Sequence, residues 1–182
     1  MVLLIGDRIR LRPIEPEDLR EVFRMVNAPE SVGAFDVFQF ASWGEVEKWF
    51  KGPIGPNDLT VLVIERNEDK EKLGIVVYYI VHPILQNLEI GFQICSLEER
   101  SKGYGAEAVR LLLDFLFKTR NIQRIQATTS VENIAAQKVL ERNGFVREGL
   151  MRKALFGDGR YQDTYLYSIL RNEWASLFSK HS

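Results

Sequence analysis

Cysteine and histidine are scarce in this sequence of 182 residues. It has one cysteine, Cys95, and two histidines that stand far apart. A single cysteine excludes a disulfide within the chain, and so few thiols and imidazoles argue against a zinc centre, which draws most of its ligands from these side chains. We therefore expect no metal ion.

The chain also lacks an excess of charge and a long apolar run. Its 24 lysines and arginines nearly balance 25 acids, so a broad basic surface for nucleic acid is not supported. The apolar start at residues 1–5 turns charged at Asp7, which is too short for a signal sequence or a membrane span. We expect a cytoplasmic protein that has neither nucleic acid nor a membrane as its partner.

Length and hydrophobic patterning predict one mixed α/β domain over residues 1–182. Hydrophobic residues make up 46% and charged residues 27% of the chain, which are ordinary values for a globular domain. Residues 8–12 alternate arginine with isoleucine or leucine, a pattern that predicts an edge strand whose charges face water. Further strands are predicted at residues 59–65, 72–81, 87–95, 122–129, 145–156 and 161–170, and helices at about 16–27, 43–51, 106–119, 133–142 and 173–179. They indicate a largely antiparallel central sheet of about seven strands flanked by helices.

The most informative segment is Arg100-Ser101-Lys102-Gly103-Tyr104-Gly105-Ala106, which stands between a predicted strand and a predicted helix. Backbone that wraps closely around an oxyanion needs residues without a Cβ atom. A helix start supplies free N–H groups that carry a partial positive charge. Two glycines and two cations directly ahead of a helix therefore predict a seat for phosphate, with the geometry of a pyrophosphate cradle.

Two common phosphate-binding loops do not fit this segment. The spelling Gly103-x-Gly105-x-x-Ala108 satisfies a dinucleotide fingerprint, but that motif begins directly after its strand and is followed by an acid near the end of the next strand. Here seven residues separate Cys95 from Gly103, and residues 122–129 contain no acid. A Gly-Lys-Ser/Thr ending is also missing, so the Walker-type loop is excluded.

Several motifs along the chain match one family in their order. They are residues 8–13 with 17–19, the segment 89–92, the loop Arg100-x-x-Gly103-x-Gly105, the helix behind Asn133 that ends at residues 140–145, and Glu148-Gly149 ahead of residues 158–161. This series resembles the GCN5-related N-acetyltransferases (GNAT), in particular the RimJ/RimL branch, over nearly the whole chain. The resemblance implies a GNAT-type fold and the transfer of an acetyl group from acetyl-CoA to a primary amine, either a protein N-terminal α-amine or a small-molecule amine.

The resemblance also assigns cofactor-binding roles. The pyrophosphate of acetyl-CoA would lie on the loop formed by Arg100, Ser101, Lys102, Gly103, Tyr104, Gly105 and Ala106. The strand that ends at Ile94, Cys95 and Ser96 would splay from its neighbour at a bulge near Gly91 and pair with the pantetheine arm. An N–H of Ile94 or Cys95 could then act as an oxyanion donor. Asn133 would contact the cofactor arm, although a helix cap alone would also explain this residue.

Glu89 is the candidate catalytic residue, because relatives often carry a carboxylate at this position that takes the amine proton, directly or through water. An alkylammonium with a pKa near 10 is not a nucleophile until it loses that proton, so the chemistry needs a nearby base. The alternative is a strand glutamate that only faces solvent or pairs with an arginine. The sequence leaves both interpretations open.

Departures from the family pattern leave the acid that protonates the departing thiolate unassigned. Leu140 stands where many relatives place a tyrosine, and Ala136 stands where this branch often has a serine. Tyr161, Tyr165 and Tyr167 are candidate substitutes, but strand tyrosines are more often packing residues. A thiol with a pKa near 8.5 can leave without obligatory protonation, so these departures bear on the mechanism rather than on the class of enzyme.

Two functional alternatives stay open on sequence alone. A non-catalytic acyl-CoA-binding or sensing module would keep the cradle without turnover, and a polyamine or aminoglycoside acetyltransferase is a narrower enzyme. Residues 30–41 hold three phenylalanines, which line an acceptor pocket or simply cover the core, but only two acids. This composition favours a peptide N-terminus or a small amine with apolar parts. A homodimer through the sheet edge or the last strands is also open.

Overall fold

The computed structural model describes residues 4–28, 41–51, 59–82, 87–157 and 159–178. Within these ranges one sheet contains eight strands. They are β1 (Leu4–Ile5), β2 (Ile9–Pro13), β3 (Thr60–Arg66), β4 (Lys72–His82), β5 (Asn87–Ile94), β6 (Arg124–Ser130), β7 (Val146–Gly157) and β8 (Arg160–Leu170). The short β1 is absent from the prediction made on sequence, and the other seven strands lie where the hydrophobic patterning places them.

Five α-helices occur in the same ranges: α1 (Leu19–Asn27), α2 (Trp43–Lys51), α3 (Tyr104–Thr119), α4 (Ile134–Arg142) and α5 (Arg171–Phe178). A capping box opens α2, where the Ser42 amide donates to Glu45 Oε2 (2.6 Å) and the Glu45 amide donates to Ser42 Oγ (3.2 Å). Gly144 follows α4 with a φ of 84°, the left-handed conformation that commonly ends a helix. The start and stop signals that the sequence gives at these two places are confirmed.

The sheet has one parallel pair, and that pair is short. The strand order is β1-β2-β3-β4-β5-β6-β8-β7, and all neighbouring pairs are antiparallel except β5 and β6. Only Leu88 with Ile125 and Glu89 with Gln126 are in register between β5 and β6, whereas β5 stays paired with β4 as far as Ile94. Strands β5 and β6 therefore diverge beyond Glu89. We call the space between residues 90–94 of β5 and residues 127–130 of β6 the β5–β6 gap.

The gap opens without a bulge at Gly91 in the ladder between β4 and β5. The register of this ladder is continuous over residues 88–94 and shifts only near His82. A Cβ atom at Gly91 would lie 3.0 Å from Val77 Cγ2, so the glycine serves close packing against β4. The expectation of a bulge at Gly91 is wrong for this ladder, and the divergence of β5 comes from the early end of its pairing with β6.

Helices cover both faces of the sheet. On one face, α3 packs its apolar side into the main hydrophobic core. On the other face, a smaller core joins α1 to β3 through Val22 and Val63. Val63, Ile75 and Gln93 are successive cross-strand neighbours, and side chains alternate between faces along β5. Glu89 therefore lies on the same face of the sheet as α1 and α2.

The prediction that residues 8–12 form an edge strand with its charges in water is wrong. Strand β1 lies outside β2, and the Arg12 side chain is buried between two acids. Arg12 Nε donates to Glu65 Oε2 (2.6 Å), and Arg12 Nη2 donates to Asp18 Oδ1 (3.0 Å). Alternation along a strand predicts on which face of the sheet a side chain lies, but it does not predict whether buried acids contact the side chain there.

Candidate active site

The glycine loop presents a row of backbone amides. Ser101 and Gly103 adopt φ values of 62° and 90°, and α3 begins directly afterwards at Tyr104. Within the described parts of the chain, the amide N–H groups of residues 101–106 donate to no backbone or side-chain acceptor. Such N–H groups at a helix start, reached through a left-handed glycine, are the donor set that a diphosphate requires.

Packing beneath the loop holds these amides in place. Tyr104 is buried, and a Cβ atom at Gly105 would lie 3.7 Å from Phe92 of β5, so the start of α3 rests closely on the strand. Asn143, buried at the end of α4, donates from Nδ2 to the Ala106 carbonyl (3.1 Å). Strand β5 and α4 therefore fix the loop from two sides.

The two loop cations make contacts within the protein. Arg100 Nε donates to the carbonyl of Ile94 (2.9 Å), so this side chain lies against the end of β5. The Lys102 ammonium lies 3.1 Å from Glu99 Oε1 and is half exposed. Both cations stay close to the row of amides and add positive charge to that end of the β5–β6 gap.

Hydrogen-bond alternation decides which main-chain groups of β5 face the gap. The Cys95 amide donates to the Leu73 carbonyl (2.8 Å), so these two residues form a hydrogen-bonded antiparallel pair. Such pairs alternate along a ladder, and the groups of the residues between them point to the other side of the strand. The N–H groups of Phe92 and Ile94 therefore point away from β4, toward the gap. Ile94 is kept as the candidate oxyanion donor, and Cys95 is ruled out because its N–H is used within the sheet.

Cys95 and Ser96 have structural contacts at the end of β5. The Cys95 thiol is buried, and burial raises its pKa to about 11, so it is not a thiolate at neutral pH. The Ser96 carbonyl accepts from the Glu99 amide (3.2 Å) at the start of a 3-10 turn over Leu97–Glu99. The Cys95 thiol therefore does not offer a nucleophile at neutral pH, which leaves direct transfer between thioester and acceptor as the simplest chemistry here.

Glu89 stands where the gap begins. Its carboxylate accepts from Gln126 Nε2 (2.9 Å) and from Thr128 Oγ1 (3.0 Å), both on β6. Among the described residues it forms no ion pair, so the alternative of an arginine-paired glutamate is not what the structure shows. A half-buried carboxylate held by neutral donors keeps lone pairs that can take a proton.

The family model for the acetyltransferase (GNAT) domain matches residues 8–146. The chain belongs to the GNAT acetyltransferases. An uncharacterized N-acetyltransferase of Bacillus subtilis (strain 168), YnaD, is 35% identical over 120 residues, which are 66% of this chain and 69% of that one. The crystal structure of spermidine N-acetyltransferase from Vibrio cholerae in complex with CoA and spermine is 27% identical, covers 93% of this chain and 99% of that one, and has a TM-score of 0.80.

The fold of this acetyltransferase is also that of RimL, the ribosomal L7/L12 α-N-protein acetyltransferase solved with coenzyme A. That structure has a TM-score of 0.80 at 19% identity and covers 93% of this chain and 98% of that one. At this identity the likeness concerns the fold alone. The GNAT-type fold with a largely antiparallel sheet, expected from the sequence, is confirmed, and the RimJ/RimL-like branch stays a prediction.

Tyr79 is a neighbour of Glu89 that sequence reasoning missed. The two residues are paired across the β4–β5 ladder, and burial together with the Glu89 charge raises the pKa of Tyr79 to about 12. The phenol of this acetyltransferase therefore stays protonated at neutral pH beside the carboxylate. Gln126 and Thr128 were missed as well, although β6 does carry a signal, since its polar residues alternate with buried Ile125 and Ala127.

None of the tyrosines proposed for thiolate protonation has a contact that indicates this role. Tyr167 is buried and donates to Glu141 Oε1 (3.1 Å). Tyr165 lies beneath the Arg147 guanidinium, 4.5 Å from it, and Tyr161 is exposed next to the β7–β8 turn. Tyr165 and Tyr167 therefore have the contacts of packing residues, and Tyr161 faces solvent.

Local structure explains Leu140 of α4 and Asn133, which directly precedes this helix. Leu140 is buried in the main core. Asn133 Oδ1 accepts from the Ala136 amide (3.1 Å) and so caps α4. A contact of Asn133 with the cofactor arm stays a prediction.

Metal sites and membrane-spanning helices have no candidate in the described ranges. No group of three or more His, Cys, Asp or Glu side chains is placed there to hold a metal ion. Among the helices that the structure describes, none is both long and apolar enough to cross a membrane.

Proposed function

We propose that this acetyltransferase transfers the acetyl group of acetyl-CoA to a primary amine by direct attack of the amine on the thioester. The observation that carries the proposal is the row of N–H groups at residues 101–106, placed at one end of a gap that Glu89 borders at the other. A cofactor with a diphosphate at one end and a thioester at the other matches these two features. The CoA present in the Vibrio cholerae relative supports the same choice.

The chemical groups along the gap match those that acetyl-CoA would contact. The diphosphate would lie on the amides of residues 101–106, with Arg100 and Lys102 adding positive charge nearby. The pantetheine arm would pair with the main-chain groups of Phe92 that point into the gap. Acetyl-CoA supplies an activated acetyl group, and the protein supplies the donors that orient it and the N–H of Ile94 that would polarise the carbonyl.

Glu89 is the group that we propose takes the proton of the acceptor amine. An ammonium must become an amine before it can attack, and the Glu89 carboxylate is the unpaired anion at the mouth of the gap among the described residues. The leaving thiol has a pKa near 8.5, so it can depart as a thiolate without a dedicated acid. This agrees with a buried Leu140 in place of the family's tyrosine.

A thiol-release assay tests the proposed function. The purified chain is given acetyl-CoA and, in turn, spermidine, a peptide with a free N-terminus and the same peptide with a blocked N-terminus. We expect release of CoA with at least one free amine and none above background with the blocked peptide. Binding of acetyl-CoA without release for any amine would contradict the enzyme and favour the sensing module.

The class of acceptor is the finer part of the proposal. The preference for a peptide or an apolar amine rests on the phenylalanines of residues 30–41, and these phenylalanines lie outside the described residues. On the described face, Glu148 is occupied by Arg124 through two hydrogen bonds (2.7 Å each) and by Ser168, whereas Glu89 accepts hydrogen bonds from neutral donors alone. The Vibrio cholerae relative makes a polyamine the second candidate, and the assay above decides between the two.

A homodimer through β7 is the assembly that we propose. Strand β7 is an edge of the sheet, exposed over residues 146–154, and it carries Val146, Leu150 and Met151 among its exposed side chains. An exposed edge strand with apolar side chains is a surface that a second copy can cover. We keep the cytoplasm as the proposed location, where a reduced buried thiol is usual.

Sedimentation analysis tests this dimer. We expect the wild-type chain to have twice the mass of one chain and the Leu150→Lys variant to have the mass of a monomer. Ile5→Lys places the same charge on an exposed residue of β1, at the opposite end of the sheet, and should leave the dimer intact. A monomeric wild-type chain would rule out the assembly.

A further inference from the structure

Arg8 reaches the glycine loop from the turn between β1 and β2. Its Nη1 donates to the carbonyl of Lys102 (2.8 Å), and its Nε donates to Glu107 Oε2 (3.1 Å). The guanidinium also lies 4.8 Å from the centre of the Tyr104 ring. Three points of the loop and the first turn of α3 therefore contact one side chain that is 94 or more positions earlier in the sequence.

The contact with Lys102 fixes the orientation of a peptide group. In a trans peptide the C=O and the following N–H point in opposite directions, and no cis peptide occurs among the described residues. Because the Lys102 carbonyl points at Arg8, the Gly103 N–H points away from Arg8, on the side of the proposed diphosphate. Rotation of this peptide would remove one donor from the row and put a carbonyl oxygen in its place.

Arg8 also neutralises an acid in the first turn of α3. Glu107 is nearly buried, and its Oε1 accepts from the amides of Arg8 (2.8 Å) and Ile9 (3.3 Å). A carboxylate beside a helix start opposes the binding of another anion there. The Arg8 guanidinium offsets that charge, and the two amides hold the carboxylate toward β2.

Gly103 leaves room for the Arg8 guanidinium because it has no Cβ atom. A Cβ atom on Gly103 would lie 3.0 Å from Arg8 Nη2, which is closer than side chains normally approach. The glycine therefore serves the left-handed φ of 90° and the close approach of the guanidinium at once.

We propose that Arg8 is a positioning residue of the cofactor site, which holds the Lys102–Gly103 peptide in the orientation that binds the diphosphate of acetyl-CoA. Arg8 acts on the cofactor through the loop, and its effect is confined to the diphosphate end. This inference rests on the proposed function, because it concerns the same cofactor.

The test compares two acetyl donors, acetyl-CoA and S-acetylpantetheine, which has the same thioester but no diphosphate. For Arg8→Gln we expect KM for acetyl-CoA to rise about tenfold, the effect of losing one charge-assisted hydrogen bond, with kcat within about twofold of wild type. With S-acetylpantetheine, kcat/KM should be within about twofold of wild type, since the orientation of the loop no longer matters. A loss of the same size with both donors would overturn the proposal, because it would indicate a general disturbance of the fold.

Two further variants separate charge from geometry. Arg110→Gln removes the same charge from the exposed side of α3, where Arg110 lies 3.9 Å from Asp7, and it should leave both KM values unchanged. Arg8→Lys keeps the charge but cannot span the Lys102 carbonyl and Glu107 together, so its KM for acetyl-CoA should be raised as in Arg8→Gln. A wild-type KM for acetyl-CoA in Arg8→Lys would overturn the proposal, because it would show that a positive charge at this position suffices for cofactor binding. Equal KM values for acetyl-CoA in Arg8→Gln and wild type would overturn the role of Arg8. Release of no thiol from either donor by the wild-type chain is a different outcome, because it would contradict the proposed function itself.

Discussion

Replacement of Glu89 by glutamine is expected to lower kcat about 100-fold at neutral pH and to leave KM for acetyl-CoA unchanged. A fall of about 100-fold is the lower end of what a positioned general base contributes to the rate. Glutamine keeps the shape of the side chain and can still contact Gln126 and Thr128, so the β5–β6 gap should keep its form. The carboxylate that accepts the ammonium proton is lost. The defect should therefore appear in the chemical step and not in cofactor binding.

The pH dependence of this variant gives a second, independent readout. Solution hydroxide replaces the missing base as pH rises toward the amine's own pKa near 10, so the deficit of Glu89→Gln should shrink at high pH. Thiol release at saturating acetyl-CoA, measured across pH, records this change. A constant deficit at all pH values would point to a role for Glu89 in holding the acceptor rather than in proton transfer.

Glu148→Gln is the matched control for Glu89. Glu148 is a carboxylate on the same face of the sheet, and hydrogen bonds from Arg124 and Ser168 lower its pKa to about 2. A group with that pKa cannot accept a proton at neutral pH, so its loss should change kcat by less than about twofold. If Glu148→Gln were as slow as Glu89→Gln, the effect would belong to the negative charge of this face and not to a base at Glu89.

The sequence was sufficient for the glycine loop because the requirements of that loop are local. A left-handed residue without a Cβ atom, a helix start and nearby cations all lie within residues 100–106, and the structure places them as expected. The same holds for the Asn133 cap of α4 and the capping box of α2. In each case the residues that determine the conformation are neighbours in the chain.

What the sequence could not provide depends on long-range register. The role of Cys95 as a donor depended on whether its N–H faces β4 or the gap, and a shift of one residue in the pairing would exchange the two. Tyr79 and Thr128 join Glu89 only because β4, β5 and β6 are neighbours in the sheet, although the three residues span 50 positions of the chain. Arg8 contacts the loop for the same reason.

The burial of charge around α1 was also hidden from the sequence. Arg12 looks like a solvent-facing residue of an alternating strand, yet it is 8% exposed between Asp18 and Glu65. Lys72 of β4 completes the cluster at 3.7 Å from Asp18. These residues come from β2, β3, β4 and the turn before α1, so that only the assembled sheet brings the opposite charges together.

Asp18→Asn is therefore expected to lower the free energy of unfolding at pH 7 by about 3–5 kcal/mol, the usual cost of removing one partner from a buried ion pair. Asp18 is fully buried, and in the variant Arg12 would stay charged but lose one of its two acidic partners. Equilibrium denaturation in urea measures the change. Glu21→Gln removes the same charge from a partner of Lys72 at 2.6 Å, but Glu21 is 42% exposed, so its cost should be below about 1 kcal/mol.

The acid dependence of the same pair of proteins checks the cause. Burial alone would raise the pKa of Asp18, but hydrogen bonds from Arg12 and the Glu15 amide hold it below the usual 3.8. A carboxyl group whose pKa is lower in the folded state stabilises the fold above its unfolded pKa, and that contribution is lost as pH falls through the folded pKa. The stability difference between wild type and Asp18→Asn should thus be constant near neutrality and shrink only below about pH 3.8. A difference that persists unchanged in stronger acid would mean that the asparagine disturbs packing, and that the charge of Asp18 is not what holds α1 to the sheet.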